Sequence, residues 1–294
     1  MKTKNLLTIA TTACLLSVAS CSDREHNSEF FAPVSVHLDG FSVTQEDSPS
    51  TKAKSVSEYD GVTAIVLAFY NSSGTEAFKS TQIKDDPTTF TTYGEFNCEL
   101  PYDDYTIVVI GYGYLSNNAL TLTSPTEASY TGNVARETFT ATQSISVRSS
   151  TPIDINATLN RISATLKVIS TDNRPANVTN IRMIFSEGSK SFNPTTGLAT
   201  SNTGSTNTVG ISTSVGERTG SISYIFLTSD EQEMDVTVQT LDSNGDVLFE
   251  ETVEDVPFKR NQQTKMTGAI YHTSTSAGPF QLNDTYLPDV TINL

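Results

Sequence analysis

Tryptophan is absent from this chain of 294 residues, histidine and cysteine occur three times each, and basic residues are outnumbered by acidic ones, 18 to 33. Each shortage excludes something. A sugar platform built on the indole ring is unavailable. A net charge of −15 opposes binding to nucleic acid, which depends on basic contacts with phosphate. It also opposes anionic lipid head groups, so any hold on a membrane has to come from acyl chains rather than a polybasic patch. No apolar run reaches the roughly 20 residues that a bilayer-spanning helix needs. His26, His37 and His272 are scattered along the chain, and no G-x-S-x-G elbow, phosphate-binding loop, H-E-x-x-H or C-x-x-C occurs. Asp103 and Asp104 are neighbours, and neighbours on a strand point to opposite faces, so they read as a turn before a strand rather than a facing acid pair. Asp242, Asn244 and Asp246 are spaced like the start of a calcium loop. However, Val247 stands where that loop needs glycine and Val253 where it needs glutamate, so a hairpin turn is expected. The sequence therefore offers no catalytic residues, no metal ligands and no cofactor site, and a non-enzymatic protein is expected.

What is present begins at the N-terminus. Lys2 and Lys4 precede a short apolar run, Leu6 to Val18, and the small residues Ala19 and Ser20 lead into Cys21. An ordinary secretory signal ends in small residues and is cut away. The string Val18-Ala-Ser-Cys21, followed at once by polar residues, resembles a bacterial lipobox. That resemblance implies removal of residues 1–20 and lipid attachment at Cys21. Removing them takes away two lysines and no acid, leaving a mature charge of −17. With Cys14 gone and Cys21 acylated, Cys98 is left alone, so no internal disulfide is possible. Residues 21–33 read as a tether. Its acidic start resembles the surface-export signal of Bacteroidetes lipoproteins.

The remainder is rich in Thr, Ser, Val, Ile, Tyr and Phe, a mix that favours pleated strands. Val34, Val36 and Leu38 alternate with polar residues and give one apolar face. Val62 to Tyr70 is apolar on both faces, which suits a central strand. Tyr105 to Leu115 is another core strand, whose glycines suggest a bend or close backbone approach. Gly94 to Leu100, Val178 to Phe185, Ile222 to Leu227, Met234 to Leu241, Val247 to Val253 and Met266 to Tyr271 continue the pattern, while residues 195 to 219 read as a long loop or weak edge. Ile153, Ile155, Ala157 and Leu159 hold odd positions, whereas Ile162, Ala164, Leu166 and Val168 hold even ones. Such a slip needs a bulge or a passage from one sheet system to the next. The expected architecture is all-β, two tandem antiparallel sandwiches over 34–159 and 160–294.

Three stretches belong together: Leu159-Asn-Arg-Ile-Ser-Ala-Thr-Leu-Lys-Val168, Val256-Pro-Phe-Lys-Arg-Asn-Gln-Gln-Thr-Lys-Met-Thr-Gly268, and Val62 to Gly74 with its Phe-Tyr-x-x-x-Gly turn. In this order they resemble the Bacteroidales fimbrillin family. The resemblance implies transthyretin-like sandwiches and a lipoprotein that builds or anchors type V pili of the outer membrane. It implies other fimbrial subunits as partners through strand exchange, and a role in adhesion whose target the sequence does not name. Val34, Val36 and Leu38 would lie in a strand that proteolysis removes. Its departure would leave an exposed sheet edge and an apolar groove. Val290, Ile292 and Leu294 would form a donor strand for another subunit, or else finish the chain's own sheet. The loop to be cut carries Lys52 and Lys54 but no arginine, so either a lysine-directed protease acts or the strand stays and the chain is an anchor. The rival expectation is a surface glycan-binding lipoprotein. Replacing Cys21 by alanine is expected to abolish metabolic labelling with palmitate and to release the protein from the membrane fraction. Retention of the label would refute acylation at that residue.

Overall fold

The structure, a computed structural model, describes residues 30–42, 56, 59–132, 134–271 and 281–287. Cys21, His26, Lys52, Lys54, His272, Val290, Ile292 and Leu294 lie outside the described residues. In chain order the strands are β1 (Phe31–Ser42), β2 (Ala64–Asn71), β3 (Glu76–Ile83), β4 (Glu95–Pro101), β5 (Asp104–Tyr112), β6 (Leu120–Ser124), β7 (Glu127–Tyr130), β8 (Thr138–Ser146) and β9 (Ile153–Arg161). There follow β10 (Ala164–Ser170), β11 (Asn180–Phe185), β12 (Ser191–Phe192), β13 (Ser205–Gly210), β14 (Gly220–Ile225), β15 (Glu231–Leu241), β16 (Val247–Lys259), β17 (Gln263–Gly268) and β18 (Gln281–Leu287). A single 3₁₀ turn, Pro87–Thr89, is the one helical piece among the described residues.

β2 and β5 decide the layering. On β2, Ile65, Leu67 and Phe69 face one core while Ala64, Val66, Ala68 and Tyr70 face another. The paired β5 divides in the same way, with Tyr105, Ile107 and Val109 on one side and Val108, Ile110 and Tyr112 on the other. Both faces must therefore be covered. The first is covered by the sheet's own continuation: the order is β3-β2-β5-β8-β9-β1-β4, and β8 meets β9 through only two residue pairs, Phe139↔Arg161 and Thr140↔Asn160. Beyond that seam β9, β1 and β4 pack back over β2 and β5, closing a core that includes Val36, Leu100, Phe139 and Leu159. Gly111 lies close against this core. A Cβ there would lie 3.0 Å from the Phe41 ring and 3.2 Å from Leu159, which accounts for the glycine in the strand.

The second face is covered by a three-stranded sheet, β12-β7-β6, together with Ile162 and Phe226 from beyond the seam. The short β12 pairs with β7 through Ser191↔Ser129 and Phe192↔Ala128, so the later half of the chain is stitched onto the earlier half. The chain passes between sheets at Ile162 and Ser163. β9 belongs to the seven-stranded sheet and β10 to a four-stranded one, which accounts for the swap in apolar parity. Beyond it, β14-β10-β17-β18 and β13-β11-β15-β16 enclose a third core containing Leu166, Met183, Phe185, Val236 and Phe258. Asp242 Oδ1 accepts from the backbone N–H groups of Asn244 and Asp246 at 2.8 and 2.9 Å, making the expected hairpin turn with Gly245 at φ 88°.

The expectation of purely antiparallel sheets is corrected. β1 runs parallel to β9, and β10 runs parallel to β17. Parallel neighbours need a long crossover, and each pair has one: β2 to β8 lie between β1 and β9, and β11 to β16 lie between β10 and β17. Leu67 is fully buried between β3 and β5. Leu67→Ala is expected to lower stability by about 2–5 kcal/mol, whereas Glu76→Ala on exposed β3 should stay within about 0.5 kcal/mol. Chemical denaturation of the two variants checks both values.

Candidate functional site

Two features stand out, the seat of β1 and a cleft beside it. β1 is an interior strand. Val34 and Val36 lie opposite Cys98 and Phe96 of β4, and opposite Ile153 and Ile155 of β9. The sequence expectation of a bare edge is thus replaced by a slot with two hydrogen-bonding walls. Val34, Val36 and Leu38 are buried in the core, as their alternation predicts. On the outer face Ser35 Oγ donates to Asn97 Oδ1 at 2.9 Å, and the His37 ring meets the Glu95 carboxylate. Phe41, near the end of β1, packs its ring 4.9 Å from Phe139 and 5.3 Å from Tyr59. Cys98 is half-buried, and burial pushes its thiol up to about 11, so it stays protonated at neutral pH.

At the other end of the chain, β18 pairs antiparallel with β17 at the edge of its sheet. Residues 281–287 therefore complete the chain's own sheet, and Pro288 follows directly.

The cleft lies where β8 and β9 part, against the turn between β16 and β17, and has a volume of about 580 Å³. Its inner wall is a buried polar knot. Arg161 Nη2 lies 3.0 Å from Glu137 Oε1, the Tyr59 hydroxyl donates to the same oxygen at 2.7 Å, and the guanidinium carbon sits 5.4 Å from the centre of the Phe139 ring. Burial, and then the Glu137 charge, hold the Tyr59 hydroxyl far above the usual tyrosine range, so it serves as a neutral donor.

Across the cleft, Arg260 bonds Asp230 at 2.7 Å and the Thr196 carbonyl at 2.7 Å. A Cβ on Gly197 would come within 2.7 Å of Ile162 and 2.8 Å of Arg260, so the loop can close here only on glycine. Asn261 adopts φ 61°, a conformation that asparagine tolerates better than most residues. Its N–H donates to the Ser163 carbonyl at 3.1 Å, and Gln262 accepts from Thr165 N–H at 2.9 Å. Two sequence stretches separated by about a hundred residues, Leu159–Val168 and Val256–Gly268, thus meet across one seam.

Among the described residues no group of three or more His, Cys, Asp or Glu side chains is placed to hold a metal ion. Sequence reasoning missed the cleft, because its walls come from five separate segments.

The family of unknown function DUF6562 matches residues 32–286, nearly all of the described sheets. The chain belongs to that family. No curated protein matches it. Among solved structures, a candidate adhesin from Bacteroides ovatus is 7% identical with a TM-score of 0.54, over 87% of this chain and 94% of that one. The fimbrial anchor protein Mfa2 from Porphyromonas gingivalis is 12% identical with a TM-score of 0.49, over 88% and 100%. A fimbrial assembly protein from Parabacteroides distasonis is 11% identical with a TM-score of 0.37, over 86% and 98%. At such identities the likeness concerns the fold.

Within this DUF6562 fold the Arg161 knot has a measurable signature. Arg161→Met leaves Glu137 buried without its cation, and a loss of about 3–5 kcal/mol is expected. Pairing it with Glu137→Leu should recover a large part of that loss in a double-mutant cycle followed by denaturation.

Proposed function

We propose that the chain is a non-enzymatic structural subunit or anchor of surface fimbriae, held at the outer membrane through acylated Cys21 and assembled by strand exchange. One observation carries this reading. β1 is an interior strand, buried on its inward face and followed by the lysine-bearing segment 43–58, so its release leaves a full-length slot between β4 and β9. Both walls would then carry a row of unpaired backbone groups above an apolar floor, and only another strand satisfies that combination. The tail matches in spacing, since Val290, Ile292 and Leu294 alternate as Val34, Val36 and Leu38 do. Pro288, which cannot donate to a sheet ladder, stands in the sequence between β18 and that tail. The fold shared with the Bacteroides ovatus candidate adhesin and the resemblance to fimbrillins support the same reading. In it, 34–159 and 160–294 are two transthyretin-like sandwiches, Lys52 and Lys54 are the cleavage positions, and the other partners are further fimbrial subunits.

The native cysteine supplies the test. Val34 lies directly opposite Cys98 in an antiparallel pair, a separation that a disulfide spans. In Val34→Cys, oxidation should staple β1 into the sheet. If β1 is vacated during assembly, polymers fail to form in the oxidised variant and return on reduction, and the mature chain starts at Ala53 or Ser55. An anchor keeps β1 and lipidated Cys21, assembles while stapled, and still captures a fimbrial subunit. Deleting Pro288–Leu294 should block the donor role. If neither the staple nor the deletion changes assembly and no fimbrial subunit is captured, the reading fails.

A further inference from the structure

We propose that the start of β1 enters the lipid interface of the membrane, with the rings of Phe30 and Phe31 as its contact. Among the described residues, five large hydrophobic side chains are exposed. Leu115, Val215 and Val247 stand singly, which is ordinary for a protein surface. Phe30 and Phe31 are consecutive, 64% and 42% exposed, and lie where β1 begins, directly after the tether. They are held in place by the sheet. The Phe30 carbonyl accepts from Tyr102 N–H at 3.0 Å, its ring stacks on Tyr102 with centres 5.6 Å apart, and Phe31 pairs with Pro101 of β4.

Two arguments pick lipid as the occupant. Neighbouring residues of a strand point to opposite faces. Phe30 therefore falls in the inward row of Ala32, Val34 and Val36, and Phe31 in the outward row of Ser35 and His37. A protein docked on one face of the sheet would leave one ring in water. A bilayer interface surrounds the strand end and takes both, and aromatic side chains favour that layer. The second argument is reach. Cys21 stands nine positions before Phe30, and that length of chain spans at most about 32 Å, so an acylated Cys21 keeps both rings within about that distance of the head groups. The turn after Tyr102 offers no basic surplus to anionic lipid: Asp104 is matched by Arg148 at 2.6 Å, and Asp103 accepts from Ser72 at 3.1 Å. The contact rests on the acylation of Cys21 proposed above, and it lasts for as long as β1 stays in the chain.

The absence of tryptophan supplies the probe. Phe30→Trp and Phe31→Trp each place a single indole in the full-length lipoprotein. Val215→Trp, at an exposed position between β13 and β14, is the reference. Each variant is reconstituted in phosphatidylcholine vesicles, with and without lipid brominated near the head-group end of its acyl chains. At positions 30 and 31 the emission should shift to the blue, lose most of its intensity on bromination and be shielded from aqueous acrylamide. At position 215 it should do none of these. Palmitate labelling and membrane fractionation report the anchor separately. A labelled, membrane-held chain in which either indole escapes bromine quenching overturns the ring contact and leaves the anchor standing. Shielding from acrylamide without bromine quenching would assign the rings to a protein partner instead. Equal quenching at all three positions would show unspecific adsorption and overturn the contact as well. An unlabelled chain removes the anchor and the contact together.

Discussion

A pair of strands that cannot show either face to water organises this molecule. β2 and β5 carry large apolar side chains on both sides, and each fully buried Leu, Ile, Val or Phe is worth about 1.5–3 kcal/mol relative to exposure. One covering layer therefore does not suffice. The seven-stranded sheet folds back across the β8–β9 seam to cover one face, and β6, β7 and β12 cover the other. The second cover draws Phe192 and Phe226 out of the later half of the chain, their ring centres 4.4 Å apart, with Phe226 stacked on Tyr130. The apolar demand of two strands in the first half thus reaches into the second and fixes the junction where the cleft forms.

The two sequence stretches on either side of that junction acquire separate physical reasons. Arg161 stands beside buried Glu137: its Nη2 reaches both the Glu137 carboxylate and the Tyr59 hydroxyl, and its planar guanidinium lies over the Phe139 ring, a stacking that a lysine would not reproduce. Asn261 suits its backbone, since it takes the positive φ of the turn that leads into β17, which runs parallel to β10. Once that turn is made, Asn261 and Gln262 both line the cleft.

Much of this was legible in the sequence. Alternation placed the inward residues of β1, the double apolar face marked β2 as central, and the swapped parity between Leu159 and Ile162 marked the passage between sheets. Residues 195–219 do hold only one strand of their own, the edge strand β13. What could not be read depends on distant partners. β8 is threonine-rich and has no clean apolar alternation, and β12 is a two-residue strand defined only by its pairing with β7. The parallel pairing of β1 with β9 is set by the long connection between them rather than by any local pattern. The same holds for the seat of β1, because periodicity shows which face a strand buries but not whether one neighbour or two lie beside it.

The slot and the cleft share β9. Its Ile153 to Asn160 stretch pairs with β1, and Thr158, Asn160 and Arg161 line the cleft. Loss of β1 would also remove Phe41, whose ring packs on Tyr59 and Phe139 behind Arg161. Aromatic contacts of that kind are worth about 0.5–1.5 kcal/mol each beyond the area they bury. The buried pair they buttress is held more strongly, since stripping one partner from such a pair costs about 3–5 kcal/mol. Tyr59, Glu137 and Arg161 all lie downstream of Lys54, so they would remain in the chain after the proposed cleavage at either lysine. The end of β9 therefore stays fastened to β8 while the rest of its edge is bare. On the proposed exchange, that fastening would hold the slot at a fixed width for an incoming strand.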